Sequence, residues 1–310
     1  MASAAKPRVG EQLLPIDWGA ISPLRMKAKT VAEGVYAGAH RSRRRGSGVE
    51  FGGQRPYFPG DDLRFLDRRS LLRHDRLMVR EFETDTDRAL WLCLDTSVSM
   101  GFRGSTAPGA KLAYAALIAA ALARVAISSG DPVGLSWLGV GQLASLPASF
   151  GLGAFERIVS RLELISAAGD LSDDLSAVER TVGLLARRVS RGSVIVVLSD
   201  LLDLPAAAMH PLVSIGSNRR SLVVVQVLDP VERDLGFAGK VRLRAIEGDG
   251  LVVTDADAVR REYQQRLEQH VQTWRRAIEG QGGRLVRACS VDDPVQVVRQ
   301  VLQAAAEACR

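Results

Sequence analysis

The sequence predicts an α/β protein, a doubly wound and mostly parallel sheet preceded by a basic, partly β N-terminal extension. Three observations carry this. From about residue 89 onward, short apolar runs alternate with longer helical stretches, the order of a sheet covered on both faces. The runs "ALWLCLD" (89–95), "SVIVVLSD" (193–200) and "SLVVVQVLD" (221–229) are near-continuously apolar. Strands buried on both faces read that way. The first fifty residues differ, being basic and broken by Gly and Pro up to "GAHRSRRRGSGVEFGG". We therefore divide the chain into an extension, 1–85, packing on a main domain, 86–310.

Within the main domain, "GAKLAYAALIAAALARVAISSG" (109–130) reads as a long helix and "DPVGLSWLG" (131–139) as the next strand. "AFERIVSRLELI" (154–165) and "SDDLSAVERTVGLLARRVS" (172–190) carry helical apolar spacing. "LPAAAMHPLVSI" reads as a helix after the second acidic strand. "KVRLRAIEGDGLVVTD" (240–255) reads as a hairpin turning at Gly-Asp-Gly. "DAVRREYQQRLEQHVQTWRRAIEGQ" (257–281) is the longest helix, and a strand, "GRLVRACS", and a closing helix end the chain.

Composition bounds the function. The 310 residues are 46% hydrophobic and 25% charged, an ordinary globular balance, with a net charge of +6 that suits an anionic partner without demanding one. Cys93, Cys289 and Cys309 lie far apart with no C-x-x-C pair, the usage of a reducing compartment. The N-terminus has no apolar leader, and "LAYAALIAAALARVAI" is Ala-rich and short of a bilayer span. These features point to a cytoplasmic protein that meets membrane only through a partner.

Three strand-like runs end in an acid, Asp95, Asp200 and Asp229. In a doubly wound sheet, ligands sit beyond the carboxyl ends of the strands, so these acids share one rim. In "LDTSVSM", alternate residues of an extended segment point the same way, which lets Asp95, Ser97 and Ser99 offer a carboxylate and two hydroxyls to one point. Mg2+ takes such hard oxygens, keeps several waters and needs only one or two carboxylates; Mn2+ or Ca2+ are the alternatives. Asp200 would supply the second carboxylate, directly or through water. Zinc is disfavoured, since no histidine lies nearby in sequence and Cys93 reads as a small core residue. The structural alternative is that Ser97 and Ser99 shape a turn or cap the helix beginning near residue 109.

The order of strand, D-x-S-x-S, helix and a later strand ending "VVLSD" resembles the von Willebrand factor A fold with its metal-ion-dependent adhesion site. More narrowly, "GxHxSRRRGSGVEF", "RPYFPGDDLRFLD", "RLMVREFE", "LDTSVSM", "GDPVGL", "VVLSD" and "VLDPVE" are similar, in this order, to domain-of-unknown-function family fifty-eight, over roughly residues 25–270. The resemblance implies Mg2+ liganded by Asp95, Ser97 and Ser99 with Asp200 in support. The adhesion site draws a threonine from an intervening loop. Here that loop reads "AGDLSDDLSAV", offering Ser172, Asp173 or Asp174 instead. Where the family shows a tryptophan after "ID", this chain has Arg68 and Arg69. The resemblance further implies a non-enzymatic interaction module whose protein partner brings an Asp or Glu to the metal. It also implies an adaptor role beside a MoxR-type AAA+ ATPase in protein assembly or maturation.

Other features weigh less. "PGDDLRFLD" holds Asp61, Asp62, Arg64 and Asp67 and reads as turn and cap chemistry or a partner-reading loop. Arg41, Arg43, Arg44 and Arg45 lack interleaved aromatics, so the run reads as a solvated or acid-docking arm, with no specific nucleic acid. "GVGQLA" (139–144) meets no helix start and is an accidental dinucleotide match. The histidines His40, His74, His210 and His270 are scattered, with His270 expected on the surface of the longest helix. The rival reading is a Mg2+-dependent hydrolase or phosphoryl-transfer enzyme using Asp95, which needs a general base and a phosphate cradle.

Overall fold

The structure, a computed structural model, describes residues 24–39, 50–56, 66–67, 78–83, 88–138, 145–169, 171, 175–217, 219–244, 246 and 250–309. The chain falls into two units, residues 39–87 and the remainder. In the smaller unit, β1 (Glu50–Pro56), β2 (Leu66–Asp67) and β3 (Met78–Glu83) form an antiparallel sheet in the order β1-β3-β2. The basic extension is therefore partly β. The arginine run at 41–45, the "PGDD" turn, His40 and His74 lie outside the described residues.

In the larger unit, six strands build one sheet: β4 (Leu90–Asp95), β5 (Val133–Leu138), β6 (Leu146–Ser149), β7 (Val194–Ser199), β8 (Ser221–Leu228) and β11 (Arg284–Cys289). Their order is β11-β8-β7-β4-β5-β6, parallel throughout except at the short edge strand β6. Counted within the sheet, this is the doubly wound order 3-2-1-4-5-6, which reverses direction beside the first strand. Consecutive residues of β4 point to opposite faces: Leu92 and Leu94 enter one core, Trp91 and Cys93 the other. Both cores need apolar partners, so the strand is apolar at nearly every position.

One face is covered by α2 (Lys111–Ser128), α3 (Leu152–Glu163) and α8 (Pro294–Ala308); the other by α4 (Leu175–Arg188), α5 (Ala206–Ser214) and α7 (Ala256–Gly280). Alanines let α2 lie close to the sheet, with Leu112, Ile118 and Leu122 filling the space between. Among the described residues, α2 is the one helix long and apolar enough to cross a membrane, and here most of it is buried in protein. Helix α1 (Leu24–Ala39) joins the same face through Leu24, Ala28, Val31 and Val35. Tyr36 Oη donates to the Val125 carbonyl (3.1 Å) and Arg299 to the Gly34 carbonyl (2.7 Å). The boundary drawn at residue 85 thus divides differently in space, because an apolar stripe ties α1 to the main core.

After β8 come α6 (Pro230–Asp234) and a two-stranded hairpin, β9 (Lys240–Arg244) with β10 (Leu251–Asp255).

Candidate metal centre

β4, β7 and β8 are adjacent and parallel, so their carboxyl ends open on one rim. Asp95 closes β4, Asp200 follows β7 and Asp229 follows β8, all essentially buried. The chain beyond Asp95 turns at once into a 3-10 turn, Val98–Gly101. Its Ser97 N–H donates to Asp95 Oδ1 (2.9 Å), and Ser199 Oγ donates to Asp95 Oδ2 (2.5 Å). Ser97 Oγ and Ser99 Oγ lie 3.0 Å apart, both buried. Neither serine caps α2, whose N-cap is Ala110. The capping alternative is therefore set aside, because the 3-10 turn and a looped link, 102–110, separate the serines from that helix.

The loop expected to replace the threonine starts beside this turn. Val98 N–H donates to the Gly169 carbonyl (3.0 Å) and Ala168 N–H to the Thr96 carbonyl (2.8 Å). Ser172, Asp173 and Asp174 lie outside the described residues.

Asp200 has a partner that sequence reasoning missed. Lys111 Nζ donates to Asp200 Oδ2 (2.6 Å) and to Glu232 Oε1 (2.6 Å), with the lysine wholly buried. Lys111 is the first residue of α2, where the helix dipole disfavours a cation. Burial pushes its pKa down, but Asp200 and Glu232 outweigh this and hold it above the ordinary lysine value. The two carboxylates thus favour the ammonium form against its burial. The second oxygen, Asp200 Oδ1, accepts from Leu202 N–H (3.0 Å), and the Asp200 carbonyl accepts from Gln226 Nε2 (3.1 Å).

Glu232 belongs to α6. Asp229 caps that helix, accepting from Val231 N–H (2.9 Å), while Glu232 Oε2 accepts from Asp229 N–H (3.0 Å), a reciprocal capping box. Asp229 Oδ2 also accepts from Gly104 N–H (2.8 Å). A side chain at Gly104 would bring its first carbon to 2.3 Å from Asp229 Oδ1, so only glycine fits. The signals were present in sequence: D-x-x-E within "VLDPVE", and a lone lysine opening an apolar helix. Without the fold, nothing joined them to Asp200.

Leu201 adopts the left-handed conformation (φ 62°) while fully buried. Its N–H donates to Ser199 Oγ (3.0 Å), completing a chain from Leu201 through Ser199 to Asp95. Its carbonyl lies 2.7 Å from His270 Nε2; a carbonyl only accepts, so that nitrogen carries a proton. His270, expected on the surface, turns inward from α7 to make this bond.

The residues present suit a small divalent ion in three respects. Two neighbouring oxygens on an Mg2+ shell, each about 2.1 Å from the ion, sit about 3.0 Å apart. The two serine oxygens have that separation. The donors are hard oxygens alone. Asp95, Asp200, Asp229 and Glu232 set against Lys111 leave three formal negative charges, a surplus that a divalent ion reduces. Burial, then the charge of Asp200, pushes the Asp95 pKa up to about 6 against the hydrogen bonds from Ser199 and Ser97. Among the described residues no group of three His, Cys, Asp or Glu converges as a metal cage, so hydroxyls and water would complete the shell.

A family profile described as "Protein of unknown function DUF58" matches residues 53–273. The chain belongs to the DUF58 family. Its α/β sheet is doubly wound and mostly parallel, as the strand order establishes. Two mycobacterial relatives, uncharacterized protein Rv1480 of Mycobacterium tuberculosis and uncharacterized protein Mb1516 of Mycobacterium bovis, are each 28% identical to this DUF58 chain over 273 residues. Those alignments span 86% of it and 83% of each relative. An aerotolerance-related membrane protein from Bacteroides fragilis is 18% identical with TM-score 0.47, covering 71% of this chain and 99% of that one. BatB from Bacteroides thetaiotaomicron is 15% identical with TM-score 0.43, again over 71% and 99%. The SpRpn10 VWA domain is 11% identical with TM-score 0.40, over 69% and 94%.

Proposed function

We propose that this DUF58 protein is a non-enzymatic, metal-dependent protein-interaction module. Mg2+, with Mn2+ or Ca2+ as alternatives, would be held by Asp95, Ser97 and Ser99 and supported by Asp200. Its chemistry there is a coordination position open to an outside oxygen, which an Asp or Glu of a protein partner fills. The observation that carries the reading is the buried serine pair, 3.0 Å between oxygens, beside a cluster of uncompensated negative charge.

The chain's own residues support a binding role for Asp95. Both its oxygens already accept hydrogen bonds and the side chain is buried, which suits a ligand held in place and not an attacking nucleophile. Lys111 keeps Asp200 oriented, so Asp200 serves the ion through water or through its field. The adaptor role beside a MoxR-type AAA+ ATPase in assembly or maturation rests on the likeness of motifs alone. We place the protein in the cytoplasm, in keeping with three free cysteines.

The test is a pull-down with Mg2+ or chelator, comparing wild type with Asp95→Ala. Partners retained by wild type in Mg2+ and lost in both other arms support the metal bridge. Identical retention in all arms rejects it. Turnover of phosphate esters that vanishes in Asp95→Ala would favour an enzyme instead.

A further inference from the structure

The β9–β10 hairpin forms a two-stranded sheet of its own, and neither strand has a second partner among the described residues. Alternation puts Lys240, Arg242 and Arg244 on one face, all exposed. Register places Asp255, Val253 and Leu251 opposite them, in that order. None of the three cations forms an ion pair with another described residue. Strand β10 carries three consecutive exposed aliphatics, Leu251 (48%), Val252 (57%) and Val253 (71%). An open edge of this kind is normally guarded by lysine, proline or a bulge. β9 carries such guards; over Leu251–Thr254, β10 carries none.

The hairpin is nevertheless held firmly at its base. Ala256 N–H donates to the Gly239 carbonyl (2.8 Å) and Gly239 N–H to Asp257 Oδ2 (2.8 Å). Arg260 donates to the carbonyls of Leu235 (3.3 Å) and Phe237 (2.5 Å). The chain leaves the rim at Asp229, forms α6 and enters the hairpin, so this fixed ribbon stands on the segment that exits the candidate metal centre.

We infer that the hairpin is a docking edge for an extended acidic segment of a partner protein, one that alternates carboxylate and aliphatic side chains and adds as a strand along β10. Main-chain bonds to the free edge supply the attachment. The added strand lies about 4.8 Å beyond β10 and about 10 Å from β9. Its carboxylates on the basic face reach across Leu251 and Val253 to Arg242 and Arg244. Its aliphatic side chains on the opposite face cover Val252. Charge complementarity selects an acidic strand, and the exposed aliphatics select a strand over a diffuse polyanion. The inference builds on the interaction-module reading but needs no metal.

The probe is a short fluorescein-labelled peptide alternating glutamate and valine, added to the full chain and followed by fluorescence anisotropy. We expect binding in Mg2+ and in chelator alike, and equally to Asp95→Ala, weakened by salt. An alternating lysine–valine peptide, or the acidic peptide interrupted by proline, should bind at least about tenfold more weakly. The variants Arg242→Glu/Arg244→Glu and Val253→Asp, the latter setting a like charge beneath the peptide's carboxylates, are each checked by circular dichroism and should lose about tenfold as well. If the double variant does not fold, Val253→Asp decides. Equal binding of the lysine peptide, or unchanged binding to the variants, overturns the inference. So does uptake of single-stranded DNA or anionic vesicles with no uptake of the acidic peptide. Failure here with a Mg2+-dependent pull-down intact removes the docking edge alone; the reverse removes the metal bridge alone.

Discussion

Lys111 Nζ lies 2.6 Å from Asp200 Oδ2, and neither side chain reaches solvent. A cation in the first turn of an apolar helix and an anion at a strand end are each unfavourable alone, and each makes the other tenable. The lysine is in effect a resident monovalent cation, and whatever binds at the rim must coexist with it.

Lys111→Met should therefore destabilise strongly. Removing one partner of a buried pair costs about 3–5 kcal/mol, since the other charge stays behind. Urea unfolding should show that loss, and adding Asp200→Asn and Glu232→Gln to Lys111→Met should recover much of it. Additive losses in the triple variant would show that the three do not act as a unit.

Gly104→Ala tests the packing of backbone against Asp229. The added carbon would meet a carboxylate oxygen at 2.3 Å and the Val231 side chain at 2.8 Å. We expect destabilisation of about 1–3 kcal/mol from overpacking, seen as a lower urea midpoint with an unchanged slope. A neutral result would mean that the loop around Gly104 moves freely.

The pH dependence of stability follows from Asp95, whose folded pKa is about 6, above its unfolded value. A raised acid favours the fold when protonated. Its contribution is complete below the unfolded pKa and is lost as pH rises through about 6. In chelator, wild type should therefore lose stability relative to Asp95→Asn between mildly acid and neutral pH. Denaturation at several pH values checks this, and a constant difference would contradict the buried, charge-crowded setting of Asp95.

Ser199→Ala isolates support of the metal from ligation. Ser199 donates to Asp95 and has no place in the D-x-S-x-S set, yet loss of such an orienting bond typically weakens metal binding by about 10–100-fold. Calorimetry with Mg2+ should show that weakening, against complete loss for Ser97→Ala/Ser99→Ala. Equal affinity of Ser199→Ala and wild type would place the ion elsewhere.

The sheet was legible because Trp91 to Leu94 and Leu222 to Val225 must satisfy two cores at once, a demand that leaves no polar alternation. The rim was legible for the same reason: parallel neighbours end together, so Asp95 and Asp200 lie on one rim, although the register sets Ser199 beside Asp95 and Asp200 turns to Lys111. The role of Lys111 was hidden, because a lysine one residue into a helix looks like a solvated start until the opposing carboxylates are in place. His270 misled through its neighbours. The charged residues around it mark the outer face of α7, whereas the side chain itself faces the strained carbonyl of Leu201. The place of α1 was missed because its apolar stripe lies next to a basic stretch that dominates the local composition.

That histidine contact makes the 25-residue helix α7 more than a cover for the sheet. Its imidazole holds the Leu201–Leu202 peptide, whose N–H donates to Asp200 Oδ1. The rod on one face of the sheet and the loop that carries Asp200 are thus fastened to each other, one residue from the hydroxyl that Ser199 gives to Asp95.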